Sequence, residues 1–316
     1  MGKRYLIGVD LGGTNIRVGI FREDNSILNV DSKKTNAFGR SSKEIISDIS
    51  DMVLSVIEKT GVSKSDIQSV GIGAPGLIDG RTGVVKFSGN LDWADVAVVS
   101  DLEEKISMPV KLANDADCAV LAEAIAGAGK GYRNVCMLTL GTGIGGGLVS
   151  DGELLKSGPG SMELGHMVIS ICGKECTCGA RGCFEAYASA TALIRDAKAA
   201  ATNDETSLLW RLCEGKIDNM NGEVPFVAAH KGDEVAKILI DSYISYLGTG
   251  IVNVINIFRP DIILLGGGIS NQGDYLIEPL TRYVRKRVFA GERSYIAEIK
   301  KASLGDDAGL LGAALL

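Results

Sequence analysis

The 316-residue chain has no excess of positive charge: 33 Lys and Arg against 39 Asp and Glu leave a net charge of −6. That argues against a protein that holds nucleic acid by neutralising its phosphates. It also lacks a long apolar run. The longest stretches free of charge, Asn134–Ser150 and Ser242–Phe258, are 17 residues each and rich in Gly, Thr, Ser and Asn, short of the roughly 20 apolar residues that span a bilayer. Met1 to Asp10 is a short charged lead-in to a strand, without the apolar core of a signal peptide. There is no low-complexity stretch, and no glycine loop ends in the lysine of a P-loop. These absences lead to the expectation of a soluble, cytoplasmic protein with neither a membrane nor a nucleic acid as partner. With 46% apolar and 23% charged residues and about twice the length of a typical domain, two globular domains are expected.

Two residue types are abundant. Gly is 41 of 316, roughly twice average usage, in short clusters between apolar strands where backbone can approach a ligand closely. There are seven Cys, four of them between Cys172 and Cys183, a clustering that in a reducing compartment suggests a metal before a disulfide framework.

Periodicity predicts strand, glycine turn and strand over Tyr5–Asp10, Leu11–Thr14 and Asn15–Phe21, then a strand near Ile27–Val30. An amphipathic helix over Lys43–Lys59 repeats Ile45, Ile46, Ile49, Val53 and Val56 at three- and four-residue steps and stops at Gly61. Ser69–Gly73 and Val110–Ala113 read as strands, Val98–Ile106 and Ala116–Ala128 as helices. The opening grammar then recurs: strand Val135–Leu140, turn Gly141-Thr142-Gly143, strand Gly145–Ser150. A shift of 129 residues lays Leu11-Gly12 on Leu140-Gly141, with a polar residue before each (Asp10, Thr139), as two duplicated halves would. Beyond Ser189 the pattern is mainly helical, with a long helix Val235–Phe258, a strand Ile262–Leu265, Gly266-Gly267-Gly268, another helix and a last one at Asp307–Leu316. The mixture predicts an α/β protein.

Either glycine turn alone reads as well as a hairpin loop; a pair of them is what a phosphate clamp needs. Asp10 favours the clamp, since a carboxylate beside phosphates makes sense with Mg²⁺ between them. Asn114-Asp115, at a strand end before a helix, serves either as a helix N-cap or as a carboxylate that takes a proton from an alcohol. His166, Cys176, Cys178 and Cys183 have the donor set of a tetrahedral Zn²⁺ site, with Gly173, Gly179 and Gly182 permitting the turns; disulfides are the rival. Cys172 stands beside this set as a spectator or substitute ligand, and Cys118, Cys136 and Cys213 read as small core residues. Glu163 and Glu185 flank the cluster and could hydrogen-bond a polyol. Trp93 reads as a core anchor and His230 as a surface residue.

Taken together, the motifs resemble the ROK family of sugar kinases. The resemblance is carried by Asp10-Leu-Gly-Gly-Thr-Asn15, Gly73-Ala-Pro-Gly76, Asn90-Leu-Asp-Trp93, Asn114-Asp115 and Leu140-Gly-Thr-Gly-Ile-Gly-Gly-Gly147. It continues through Glu163-Leu-Gly-His166, Cys176-Thr-Cys-Gly-Ala-Arg-Gly-Cys183-Phe-Glu185, Leu265-Gly-Gly-Gly268 and Asp307-Ala-Gly-Leu-Leu-Gly312, in the family's order along nearly the whole chain. It implies an actin-like (ribonuclease H-like) ATPase fold: a small α/β domain of residues 1–113 plus 301–316 and a large one of 114–300 carrying the zinc knuckle (166–183), around a cleft. It further implies ATP-dependent phosphorylation of a hexose at its 6-hydroxyl, glucose first, with ATP, Mg²⁺ and a structural Zn²⁺. Asp10, Gly12, Gly13, Thr14, Gly141, Thr142 and Gly143 would face phosphate and Mg²⁺, and Gly267 and Gly268 the adenosine. Asn90, Asn114, Asp115, Glu163, His166 and Glu185 would bind sugar hydroxyls, with Asp115 the general base. A homodimer is also implied. Met162, where relatives often carry glycine, leaves N-acetylmannosamine, mannose, fructose or allose as alternative substrates. Relatives that are sugar-responsive regulators carry a helix-turn-helix segment, and the nine residues ahead of Asp10 are too few for one.

Overall fold

The computed structural model describes residues 4–155, 160–293 and 295–316. The chain divides into two compact units, one of Met1–Arg133, Gly147–Met162 and Ser303–Leu316, the other of Asn134–Gly146 and Glu163–Ala302.

In the first unit β1 (Tyr5–Leu11), β2 (Asn15–Arg22), β3 (Ile27–Lys34), β4 (Ile67–Ala74) and β8 (Val110–Asn114) form a sheet in the order β3-β2-β1-β4-β8. The first three pair antiparallel and the last three parallel. Parallel strands covered on both faces must be apolar throughout, which is why Ile7, Val9, Val70 and Ile72 are all fully buried. Helix α1 (Ser42–Thr60) lies against this sheet through the residues that the periodicity picked out. Ile45, Ile49, Val53 and Val56 are fully buried, each stabilising the fold by roughly 1.5–3 kcal/mol. Ser41 and Glu44 form a reciprocal capping box at its start, and Gly61, at φ 65°, ends it, a left-handed turn that glycine makes without strain.

Helix α2 (Val98–Ile106) matches its predicted range. A small sheet of β5 (Leu77–Asp79), β6 (Val84–Ser88) and β7 (Trp93–Val96) was not predicted, because strands this short between glycines show almost no alternation. Trp93 is its core anchor, 3% exposed.

Helix α3 (Asp115–Ala126) and the last helix, which follows all of the second unit in sequence, pack on each other inside the first unit. Where the sequence placed a boundary at 113/114, the compact unit runs on through α3 to Arg133. The reason is contact at backbone distance. A Cβ on Gly312 would fall 1.7 Å from the Cys118 carbonyl oxygen, and one on Gly71 1.7 Å from that of Ala313.

A second sheet repeats the plan. Strands β9 (Asn134–Leu140), β10 (Ile144–Ser150), β11 (Glu153–Leu154), β12 (Ile262–Gly266) and β13 (Glu298–Lys301) form a sheet ordered β11-β10-β9-β12-β13, the same succession of first to fifth strands as the first sheet. Strand β13, with a single buried residue, is an edge strand whose polar pattern hid it. The helices are α4 (Glu185–Ala188), α5 (Ala190–Asn203), α6 (Leu208–Leu212), α7 (Val224–His230), α8 (Glu234–Phe258) and α9 (Asp274–Arg285), followed by α10 (Asp307–Ala314) back in the first unit.

At 25 residues α8 is long and apolar enough to cross a membrane by length and composition, more than its 17-residue charge-free run suggested. Its buried Ile240, Tyr243, Ile244, Leu247 and Ile251 recur as one core face, and Phe184 packs on Gly250. Cys118, Cys136 and Cys213 are fully buried, and His230 is exposed, as predicted.

Candidate active site

The carboxyl ends of parallel strands in an open α/β sheet are where ligands bind, and three of the predicted residues stand there. In the first sheet Asp10 pairs with Gly73 on β4, and Ala74 with Asn114 on β8. A cavity of about 890 Å³ opens at this edge, lined by Asp10, Gly12, Gly13, Thr14, Asn15 and Arg17 of the β1–β2 hairpin, with Asp306 and Asp307 at the start of α10. Burial first, then Asp115 and Asp306, with Arg17 opposing them, together raise the Asp10 carboxyl to about 6. A carboxylate short of positive partners beside a glycine turn fits a divalent cation.

Arg17 is directly opposite Asp10 in the hairpin register, and its guanidinium is held by the Asp306 carbonyl (2.6 Å) and the Asp307 carboxylate (2.5 Å). The sequence reading passed over Arg17, Asp306 and Asp307 as lining residues. The hairpin register, countable from the turn, is the signal that puts Arg17 across from Asp10.

Of Asn114 and Asp115, it is Asn114 whose side chain carries the cap of α3. Asn114 is buried; its Oδ1 caps α3 by accepting from Ala116 N–H at 2.8 Å, while its Nδ2 donates to the Gly76 carbonyl at 3.1 Å. Asp115 Oδ1 also accepts from Ala116 N–H, at 2.9 Å. Water still reaches its carboxylate, but crowding by protein raises its proton affinity against the pull of those amides. A carboxylate that is part desolvated and free of the main capping duty is suited to general-base work. Asn90 is exposed on the β6–β7 loop, and its carbonyl lies so close to the first turn that a Cβ on Gly13 would sit 2.6 Å from it. Asp10, Gly12, Gly13, Thr14, Asn90, Asn114 and Asp115 thus all belong to the first unit.

The second unit holds the rest. In both turns the first glycine commits its N–H inside the loop, Gly12 to the Asn15 carbonyl (2.9 Å) and Gly141 to that of Gly143 (3.0 Å). Glu185, at the start of α4, accepts from Ile144 N–H at 2.9 Å, and a Cβ on Gly143 would fall 2.1 Å from its Oε2. Gly267, at φ 82°, lets β12 turn against the Leu140 carbonyl, where a Cβ would meet oxygen at 2.4 Å, while Gly141 and Gly268 face open space.

The knuckle is folded around its cysteines. Cys176 N–H donates to Ala180 O and Gly182 N–H to Lys174 O, and Gly182, at φ 81°, approaches the Ser170 carbonyl too closely for any side chain. The donor atoms of His166, Cys176, Cys178 and Cys183 all lie within 4.8 Å of one another. Cys178 Sγ to Cys183 Sγ is 3.7 Å and Cys176 Sγ to His166 Nδ1 is 3.6 Å. Zinc–sulfur bonds of ~2.3 Å in a tetrahedron separate sulfurs by about 3.8 Å, whereas a disulfide needs ~2.05 Å. The set fits zinc. Cys172 is exposed and outside it. His166 turns Nε2 toward Glu163, 4.0 Å from Oε2, and Cys176 Sγ lies 3.8 Å from Glu185 Oε1, so both flanking acids border the knuckle.

The model of the ROK family matches residues 6–316. The chain belongs to the ROK family. ROK relatives include a glucokinase from Thermotoga maritima, 39% identical over 99% of this chain and 97% of its own length. The solved structure of a ROK family glucokinase from Streptomyces griseus in complex with glucose and AMPPNP superposes with a TM-score of 0.81. It is 34% identical and covered over 99% of this chain and 98% of that one. The xylose repressor of Bacillus subtilis is 31% identical over 98% of this chain but only 75% of its own length. Membership assigns the actin-like ATPase fold, whose duplicated halves are the two sheets of identical strand order.

Proposed function

We propose that this ROK protein is an ATP-dependent hexose kinase that phosphorylates glucose at its 6-hydroxyl. The observation that carries the reading is the Asn114–Asp115 pair: the neighbour takes the cap, and Asp115 is left crowded, proton-avid and beside the Asp10 pocket. Phosphoryl transfer needs positioning, charge neutralisation and one oriented proton acceptor. Asp115 accepts the proton of the 6-hydroxyl, and the Ala116 amide keeps its Oδ1 in place. The remaining hydroxyls are assigned to Asn90, Asn114, Glu163, His166 and Glu185. Gly12, Gly13 and Thr14, with Gly141, Thr142 and Gly143, border the phosphates of ATP, and Gly267 and Gly268 the adenosine. Mg²⁺ held through Asp10 would supply charge neutralisation on the transferring group. Zn²⁺ held by His166, Cys176, Cys178 and Cys183 would shape the knuckle, leaving the Nε2 of His166 for a sugar hydroxyl.

A kinase for mannose, N-acetylmannosamine, fructose or allose is the second reading, favoured by Met162 directly before Glu163. The repressor relatives make a sugar sensor the third; an intact Asp10 and Asp115 favour catalysis over it. The test is ADP release from Mg-ATP across purified hexoses. A tenfold preference for glucose in kcat/KM, about 1.4 kcal/mol in transition-state binding, is expected. Preference for another hexose moves the substrate assignment to the second reading, and zinc-loaded protein that turns over no sugar overturns the kinase. A homodimer in the cytoplasm belongs to the same reading, and light scattering tests the dimer.

A further inference from the structure

Glu123 is fully buried in the last turn of α3, where a helix dipole disfavours negative charge. Its carboxylate faces four donors on both sides. Oε1 accepts from the backbone amides of Ser303 and Leu304, each at 2.7 Å, and Oε2 from Ala128 N–H at 2.8 Å and Ser303 Oγ at 3.2 Å. Gly127 is adjacent, and a Cβ there would fall 2.1 Å from Oε2. Both carboxylate oxygens accept here, whereas a glutamine would turn its NH₂ against the Ala128 N–H. Ser303 is where the chain re-enters the first unit. Three residues further on, Asp306 and then Asp307 hold Arg17 in the wall of the pocket that contains Asp10.

We propose that Glu123 is a positioning residue for the phosphate pocket: by fixing Ser303 and Leu304 it sets where Asp306 and Asp307 hold Arg17 beside Asp10. The proposal rests on reading that pocket as the nucleotide phosphate site. A helix edge alone would not require it, because α3 and α10 already meet at Cys118 and Gly312. What Glu123 adds is a hold on the segment ahead of α10, the part that carries the pocket's acids.

The test uses zinc-loaded full-length protein well below its melting temperature, with two readouts. Glu123→Gln is expected to speed hydrogen exchange in the peptide covering residues 303–309, a result that does not depend on any activity. It is also expected to lower kcat/KM for Mg-ATP on the order of tenfold to a hundredfold, the scale of a small misplacement at a reacting centre, while glucose affinity stays within about twofold. Ser303→Gly, which loses one hydroxyl contact and loosens the same backbone, should move both readouts in the same direction by less, and serves if Glu123→Gln does not fold. Faster exchange with unchanged Mg-ATP kinetics makes Glu123 merely structural and overturns the proposal, as does unchanged exchange. If the wild type phosphorylates no sugar, calorimetric binding of Mg-AMPPNP replaces the kinetics. Failure of that nucleotide to bind the wild type refutes the pocket reading, whereas equal binding by both variants and wild type refutes only the role of Glu123.

Discussion

The two glycine turns occupy the same place in two sheets of the same strand order, yet each draws its acid from a different source. Beside the first turn the carboxylate is the strand's own: Asp10, next to last in β1, faces Arg17 across the hairpin and is crowded by Asp115 and Asp306. At the second turn Thr139 takes that place, and the carboxylate comes from Glu185, 41 residues beyond the Ile144 amide that binds it. The strand order is the same in both sheets. What packs onto each turn decides its chemistry, so one borders an anionic pocket and the other is tied through the Ile144 amide to Glu185, which borders the cysteine knuckle.

The strongest way to sharpen the contrast is to remove the base. Asp115→Asn should keep zinc and sugar binding and lose roughly 10²–10⁴ in kcat; near-normal turnover would sink the assignment. Because crowding raises the proton affinity of Asp115, kcat of the wild type should begin to fall on the acid side at a higher pH than an ordinary carboxylate allows. A pH–rate profile flat down to pH 4 would contradict it.

On the other side, Cys178→Ser should weaken zinc binding by more than the roughly hundredfold that a lost outer-shell contact costs, with a lower melting temperature. Metal analysis and calorimetry decide, and metal-free protein of full stability and activity would refute a structural role.

Alanine in the turns comes next. At Gly13 the new Cβ meets backbone, the Asn90 carbonyl; at Gly143 it meets the end of the Glu185 side chain. Overpacking against backbone cannot be relieved by a rotamer, so Gly13→Ala should cost about 1–3 kcal/mol in chemical denaturation and Gly143→Ala less. The reverse order would mean that Glu185 is the more rigid of the two.

The smallest effect concerns Asp10. Between the ordinary 3.8 and about 6 the folded protein binds more protons than the unfolded chain, so stability falls as pH rises through that window. Asp10→Asn should then stabilise the metal-free protein at pH 7 by about 1–2 kcal/mol, allowing for the water that reaches a half-buried side chain. A lower melting temperature at pH 7 would show that Arg17 outweighs the other acids.

Much of this was legible before folding. The run of Ile45, Ile49, Val53 and Val56 marks α1 because burial follows its 3.6-residue period. The His166, Cys176, Cys178 and Cys183 spacing marks the metal set because few other roles need three thiols and an imidazole within eighteen residues. The small sheet of β5, β6 and β7 and the edge strand β13 were not, since three to five residues carry too little alternation to register. Nor were Asp306, Asp307 and Glu123, whose partners lie from 180 to 290 residues away.

The chain by itself determined the local periods, the donor set of the knuckle and the family, all of which depend on neighbours a few residues apart or on motifs in a fixed order. Only the tertiary structure decided that α3 packs with α10, that Asn114 rather than Asp115 carries the cap, and that Asp10 is crowded by two other acids. Desolvation and charge proximity act between atoms brought together from distant positions, and no linear pattern records those distances.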